Sequence, residues 1–248
     1  MSRTVKSLIK GASVLLFWLA VWEITALIID LEFVFPRLSD TFVALILLLG
    51  EGDFWISIAL SLGRIILGFV IGVILGIALS LLCNLSSVVN SVISPIMTVI
   101  KATPVASFIL VLWFIIGSGS VPIAIACLMV MPIIWQNLSD GYKATDKNLE
   151  EVCLVFSIDY LTKLRILIIP TLAKFLLPAM LSASGLAWKA GIAAEIIAYT
   201  ENSLGRDILN AKNSFESAEM FAITVVVALL SIGIERGIKI LLKRAERL

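Results

Sequence analysis

Charged side chains stand inside or at the edges of long apolar runs at Glu23, Arg64, Lys101, Lys189 and Glu195. A charge held in hydrocarbon is costly enough to mark a solute or ion pathway by default. Lys101 precedes Ala102-Thr103-Pro104 within the apolar run from Val88 to Ile116. Pro104 pushes Thr103 out of helical geometry, so the sequence predicts a kink or unwound turn around residues 102–104, with Pro95 offering a second break. As one straight helix the run would be about 43 Å long, more than a hydrocarbon core of about 30 Å needs. A break there puts Lys101 near the middle of the membrane, where freed carbonyls and a charge are the ingredients of a transport site. The competing reading is a lysine that snorkels to the interface or pairs with a neighbouring span. Lys189 and Glu195 are six residues apart, about 240° around a helix, so they cannot pair with each other. Lys189 suits an anionic solute if the pathway lies between two copies of the chain, or else a structural ion pair. Glu195 is expected near the external end, ordering the loop in which Ser203-Leu204-Gly205 turns. Glu23 shows no partner in sequence and reads as interfacial.

Other chemistries find no residues. The chain contains no histidine, which removes His-based metal sites, general bases and Ser-His or Cys-His pairs. Cys83, Cys127 and Cys153 form no C-x-x-C pair and read as small apolar residues. No G-x-x-x-x-G-K-[ST] phosphate loop occurs, so ATP binding and hydrolysis are not expected of this chain. A net charge of +1 offers no field for nucleic acid. An intramembrane enzyme would want acidic residues facing each other from two spans, and an ion-coupled carrier a repeat with broken helices in both halves. The first pair is not evident and only one break is, so these remain the alternative classes.

The elements that must hold these residues follow from composition. Of 248 residues 60% are hydrophobic and 15% charged, and the mean hydropathy is +1.08, the balance of a chain whose main solvent is lipid. Six runs are long enough to span: Ala12 to Ile29, Ile58 to Cys83, Val88 to Ile116, Val121 to Leu138, Phe175 to Ile197 and Glu219 to Leu242. Backbone groups in lipid must be satisfied internally, so the expected fold is an all-α integral membrane bundle of six helices. Residues 1–11 form an N-terminal segment and 12–248 one transmembrane domain. Arg3, Lys6 and Lys10 before the first run resemble a signal peptide, but Trp22 and Glu23 stand where small residues would be needed, and an uncleaved span is the better reading. Twelve Lys and Arg fall in the N-terminus, the connection after the fourth span and the C-terminus, against Arg37, Arg206 and Lys212 on the other side. Both termini are therefore expected in the cytoplasm. Ser39 and Asp40 are expected to cap a short helix over Thr41 to Leu49 at the external interface. Gly68, Gly72 and Gly76 mark a face that another helix can approach closely, and Trp18, Trp22 and Trp55 read as interface anchors.

The connection over about residues 139–174 is the most polar part of the chain. It carries Glu150-Glu151-Val152-Cys153, then after three residues Ser157, after nine more Leu167, and after one more Ile169 and Pro170. The spacing predicts a short helix over Asn148 to Phe156, a turn, and a second helix entered through Tyr160. Counted from Glu151, this segment resembles the E-A-A-x3-G-x9-I-x-L-P element of permease subunits of bacterial ATP-binding-cassette importers. Val152 and Cys153 replace the alanines and Ser157 the glycine. Phe35-Pro36-Arg37-Leu38-Ser39, Ser61-Leu62-Gly63-Arg64 with Gly68-Phe69, Lys101-Ala102-Thr103-Pro104, Trp113-Phe114, Trp188, Ala194-Glu195 and Ser203-Leu204-Gly205 are similar, in order, to elements of the aliphatic-sulfonate, taurine and nitrate branch.

The resemblance implies a type I importer permease. In it Glu150, Glu151, Val152, Cys153, Phe156, Ser157 and Pro170 would form the coupling segment that docks on an ATPase subunit. Lys101, Thr103, Pro104, Trp188, Lys189 and Glu195 would face or shape the pathway. It implies no cofactor in this chain, with ATP and Mg on the partner ATPase. The implied partners are ATP-binding-cassette ATPase subunits, an extracytoplasmic solute-binding protein, a second copy of the chain and the lipid bilayer. The implied cargo is a small organic or inorganic anion such as a sulfonate, taurine or nitrate, and the implied location the bacterial cytoplasmic membrane.

Overall fold

The structure, a computed structural model, describes the backbone of residues 3–245. Its elements are α1 (Arg3–Ile29), α2 (Leu38–Gly50), α3 (Gly52–Leu85), α4 (Ser87–Ala102), α5 (Val105–Ile116), α6 (Val121–Lys143), α7 (Lys147–Val155), α8 (Tyr160–Lys163), a π turn (Leu164–Ile168), α9 (Ile169–Ile197), α10 (Leu204–Asn213) and α11 (Ser217–Ala245). Among the described residues five helices are long and apolar enough to span a membrane, and the pair α4 and α5 supplies a sixth, broken span bent by 105°. The bundle is the expected one, and the break falls at Thr103-Pro104. Thr103 is extended, with φ −82° and ψ 133°, because the proline ring excludes the helical region for the residue before it.

Lys101 meets α6 from the last turn of α4. Its Nζ lies 3.4 Å from Gln136 Oε1, fifteen residues or about 22 Å along α6 from Val121. That is four residues past the midpoint of α6 and seven short of its end at Lys143. Close by, Met97 and Ile100 of α4 are buried with Cys83 of α3 and Trp135 of α6, which holds α4 against both helices. Trp135 Nε1 also donates to Cys83 Sγ at 3.4 Å, using the thiol as an acceptor in a buried setting.

α3, α6, α9 and α11 share one apolar core that runs from Leu48 and Phe54 through Ala126, Val130 and Ala183 to Ile223. The tightest seam joins α3 to α6. A Cβ at Gly72 would stand 2.8 Å from Val130 Cβ and 2.9 Å from the Cys127 carbonyl oxygen, and one at Gly76 2.7 Å from Ile134 Cβ. Gly68 meets Ile123 and Ala126 in the same way. The three glycines therefore admit a helix of the same chain, and the contact is backbone on side chain over three turns.

The short helix α2 forms, but its cap is not the local one expected. Ser39 and Asp40 lie inside its first turn, and the Leu38 N–H donates to Glu23 Oε2 at 3.0 Å. Glu23 of α1 thus caps the N-terminus of α2, where a negative charge also meets the positive end of the helix dipole. Beside it Trp22 Nε1 donates to the Pro36 carbonyl at 3.1 Å, and Trp22, Phe35 and Phe221 form an edge-to-face aromatic cluster with centroids 5.3–5.7 Å apart.

At the end opposite the connection, elements distant in sequence meet on one carboxylate. Glu195 is 0% exposed; its Oε2 accepts from Ser61 Oγ at 2.8 Å and from the Gly205 N–H at 3.2 Å. Ser61 Oγ in turn accepts from the Leu204 N–H at 3.0 Å. Arg64 Nη1 lies 3.9 Å from Glu195 Oε1, and the guanidinium donates at 3.1 Å to the carbonyls of Glu201 and Asn202. Gly205 fits because a Cβ there would stand 2.5 Å from Glu195 Cβ.

Two outcomes follow for thermal denaturation of the detergent-solubilised chain. Gly72→Val, which drives side-chain atoms into Val130 and Cys127, is expected to cost about 1–3 kcal/mol or more, while Gly63→Ala on the same helix, with open space around it, leaves the midpoint unchanged. Glu195→Ala strips the acceptor from a buried hydroxyl and a backbone amide, removes the carboxylate beside Arg64, and is expected to cost about 3–5 kcal/mol. Glu195→Gln, which keeps one oxygen, should fall between it and the parent.

Candidate functional site

Two aspartates start the helices of the α6–α9 connection. Asp146 Oδ1 accepts from the Asn148 N–H at 2.9 Å at the head of α7, and Asp159 Oδ2 accepts from the Thr162 N–H at 3.1 Å at the head of α8. The side-chain and backbone hydrogen bonds of Thr162 hold the Asp159 carboxyl below its usual range. α7 ends in a reversal closed by Phe156 N–H to Val152 O at 3.0 Å and Ile158 N–H to Cys153 O at 2.9 Å. Ser157 supplies the left-handed residue this motif requires, at φ +50°, a conformation that favours glycine and that a side chain adopts at some cost. The sharp turn therefore survives the replacement of glycine by serine.

The short helix predicted over Asn148 to Phe156 is observed one residue earlier. Cys153 is buried, while Glu151 and Val152 are exposed. The outer surface is apolar: Val155 is 80% exposed, Phe156 74% and Leu161 74%. Glu150 lies on α7, with its side chain outside the described residues. Beyond the turn, α8, the π turn and α9 run on as one long helix, and Pro170 sits directly after the π turn. A proline here lacks the N–H for the helical ladder and crowds the carbonyl four residues back, and a widened turn relieves both.

A polar track leads from this connection to the break in the fourth and fifth helices. Lys143 Nζ lies 3.9 Å from Asp140 Oδ1, both Asp140 oxygens accept from Gln136 Nε2 at 3.1 Å, and Gln136 faces Lys101. Gln136 and Asp140 were not evident from sequence as site residues; their signal is the i, i+4 spacing on α6 opposite Lys101. Lys101 and Pro104 are exposed and Thr103 is half-buried, so the elbow presents its polar groups outward from the single chain.

The remaining pathway candidates separate. Trp188 is 1% exposed, and its Nε1 donates to the Val227 carbonyl at 3.0 Å. It is a tie between α9 and α11 and lines no surface of the single chain, because the indole fills the core where those helices cross. Lys189, next in sequence, points the other way and is exposed, without an ion pair among the described residues. Glu195 belongs to the buried knot with Ser61 and Arg64, which the sequence showed as motif elements without their mutual contact.

Around the knot the α9–α10 loop locks onto α5. Tyr199, left-handed at φ +55°, stacks on Trp113 with centroids 6.1 Å apart, and Arg206 lies over the Tyr199 ring. Thr200 Oγ1 donates to the Ser118 carbonyl at 2.9 Å. Nearby a cavity of about 600 Å³ is lined by Glu51, Asp53, Glu201, Arg206, Asp207 and Glu219, among others. Burial pushes the Asp207 carboxyl above its usual range, against the hydroxyl of Ser57, which pulls it down.

Residues 68–247 match the family described as binding-protein-dependent transport system inner membrane component. A putative ABC transporter permease protein of Methanocaldococcus jannaschii is 24% identical over 240 residues, covering 94% of this chain and 90% of that protein. In solved structures, a chain of an amino acid ABC transporter with histidines superposes with a TM-score of 0.59 at 20% identity, covering 75% of this chain and 89% of its own length, which shows a shared fold. Residues 68–247 take in the three glycines of the seam, the broken span, the connection with its exposed helix and, of the knot, Glu195 and Gly205. The chain thus belongs to the family of binding-protein-dependent transport system inner membrane components, as the permease component of an ABC transporter.

Proposed function

We propose that two copies of this chain form the translocation pathway of an importer, with α7 of each copy seated on an ATPase subunit. The observation that carries the reading is the α7 surface: a short helix held by Asp146 at its head and a left-handed Ser157 at its tail, with Val155 and Phe156 facing solvent. An apolar edge on the most polar segment of a membrane protein is a seat for a soluble partner. In this reading ATP and Mg sit on that partner, and an extracytoplasmic solute-binding protein delivers cargo to the opposite end. The count of Lys and Arg supports an orientation with both termini and α7 in the cytoplasm.

The mechanical step rests on differential binding of the partner to two arrangements of the spans. α7 is joined to α6 through Ala144–Asp146 and to α9 through the turn and the π turn, so a push on α7 reaches two core helices at once. α6 meets α3 along the glycine seam, too tight to slide, and would carry it as one body. The elbow at Thr103-Pro104 is where the bundle can bend without breaking a helical ladder. The cargo proposed is a small anion such as a sulfonate, taurine or nitrate, drawn by Lys101 and Lys189 from the faces the two copies would turn to each other.

Phe156→Asp and Glu151→Lys are expected to lower ATP-driven uptake at least tenfold and to weaken co-purification of the ATPase, while insertion and helical content stay at the parent level; normal uptake and retention in both variants would overturn the docking role. For the cargo, Lys189→Gln is expected to reduce uptake of labelled taurine or nitrate severalfold without changing ATPase retention, and unchanged anion uptake would remove Lys189 from the pathway.

A further inference from the structure

A groove of about 280 Å³ opens between α9 and α11, lined by Leu181, Ile232, Glu235, Arg236 and Lys239. We propose that it binds the head group of an anionic phospholipid, with Arg236 and Lys239 holding the phosphodiester and Leu181 and Ile232 lying along the start of the acyl chains. Nothing in the transport reading uses these residues.

Depth supports the head group. The candidate span of α11 runs from Ser217 to Ile240. At 1.5 Å per residue Arg236 lies about 28 Å and Lys239 about 33 Å from its start, at the far boundary of a core of about 30 Å. Ile232, one turn earlier, remains inside it. The groove thus passes from apolar to basic where a phospholipid passes from chain to phosphate.

Charge supports it as well. Arg236 and Lys239 are exposed and form no ion pair among the described residues, and neither does Glu235. The Glu235 carboxylate lies over the backbone of α9, where a Cβ added at Gly185 would come within 2.7 Å of its Oε1. It occupies the wall of the groove and leaves the two cations as the groups available to a ligand. Two cations against one carboxylate favour a ligand of net negative charge, and a basic pocket between spans at the head-group level is suited to an anionic lipid.

The test uses the full chain in detergent, with binding of phosphatidylglycerol, phosphatidylethanolamine, phosphatidylcholine and inorganic phosphate each followed by native mass spectrometry and by the shift in thermal midpoint. Phosphatidylglycerol is expected to bind preferentially and to raise the midpoint. Arg236→Gln with Lys239→Gln should weaken that binding about thirtyfold, Arg236→Lys with Lys239→Arg should retain most of it, and Glu235→Gln should preserve or strengthen it. Equal binding by the doubly neutral variant, equal retention of the zwitterionic lipids, weakening by Glu235→Gln, or inorganic phosphate competing fully at the same site would each overturn the assignment. Should the doubly neutral variant lose helical content, Arg236→Gln alone, with an expected loss of about fivefold, decides the same question. None of these outcomes depends on ATP or on uptake, so the lipid site can fail while the transport reading stands.

Discussion

A carboxylate buried in a membrane helix must be matched by donors, and Glu195 draws its neighbours from two distant parts of the chain. Ser61 brings α3, Gly205 brings the head of α10, and Arg64 spans from the carboxylate to the carbonyls of the intervening loop. Leaving any of these unpaired in a low-dielectric interior costs more than the hydrogen bond itself gains. The loop geometry follows: with Leu204 and Gly205 fixed, Thr200 and Tyr199 are held against Ser118 and Trp113, and the end of α5 is tied to the end of α9. One polar knot sets the far end of the bundle, where apolar packing alone would specify position weakly.

The other end is built on the opposite plan. In the connection Cys153 is buried, while Val155, Phe156 and Leu161 stay exposed in the single chain. Its precision comes from local backbone chemistry, namely two aspartate caps and a left-handed serine. Between the ends, the glycine seam makes α3 and α6 one body, and the elbow at Thr103-Pro104 separates α4 from α5. The bundle thereby combines one closely packed helix pair with one bent span.

Several features were legible from residue type and spacing because their causes are local. Proline fixed the break at 102–104, glycines at four-residue spacing marked the α3 seam, and the connection showed its short helix to within one residue. Others were not legible because their partners are remote. Glu23 looked solitary although it caps α2 across fourteen intervening residues. Trp188 looked like a pathway residue, and its burial against Val227 depends on where α11 crosses α9. The contact of Lys101 with Gln136 was likewise out of reach, because it depends on how Met97 and Ile100 pack α4 on Trp135 and Cys83.

By itself the sequence determined that the chain is a helical membrane bundle with a polar connection, since hydrocarbon admits only segments that satisfy their own backbone. It also determined where helices must stop, because proline and glycine act through their own dihedral angles. Only the tertiary structure decided which charge meets which donor, and hence which ionisable residues are spent on holding the fold and which are left facing outward. The physical reason is that a helix presents its side chains by angle and height. Two residues become partners only when crossing angles and tilts, set by packing along the whole interface, bring both to the same level.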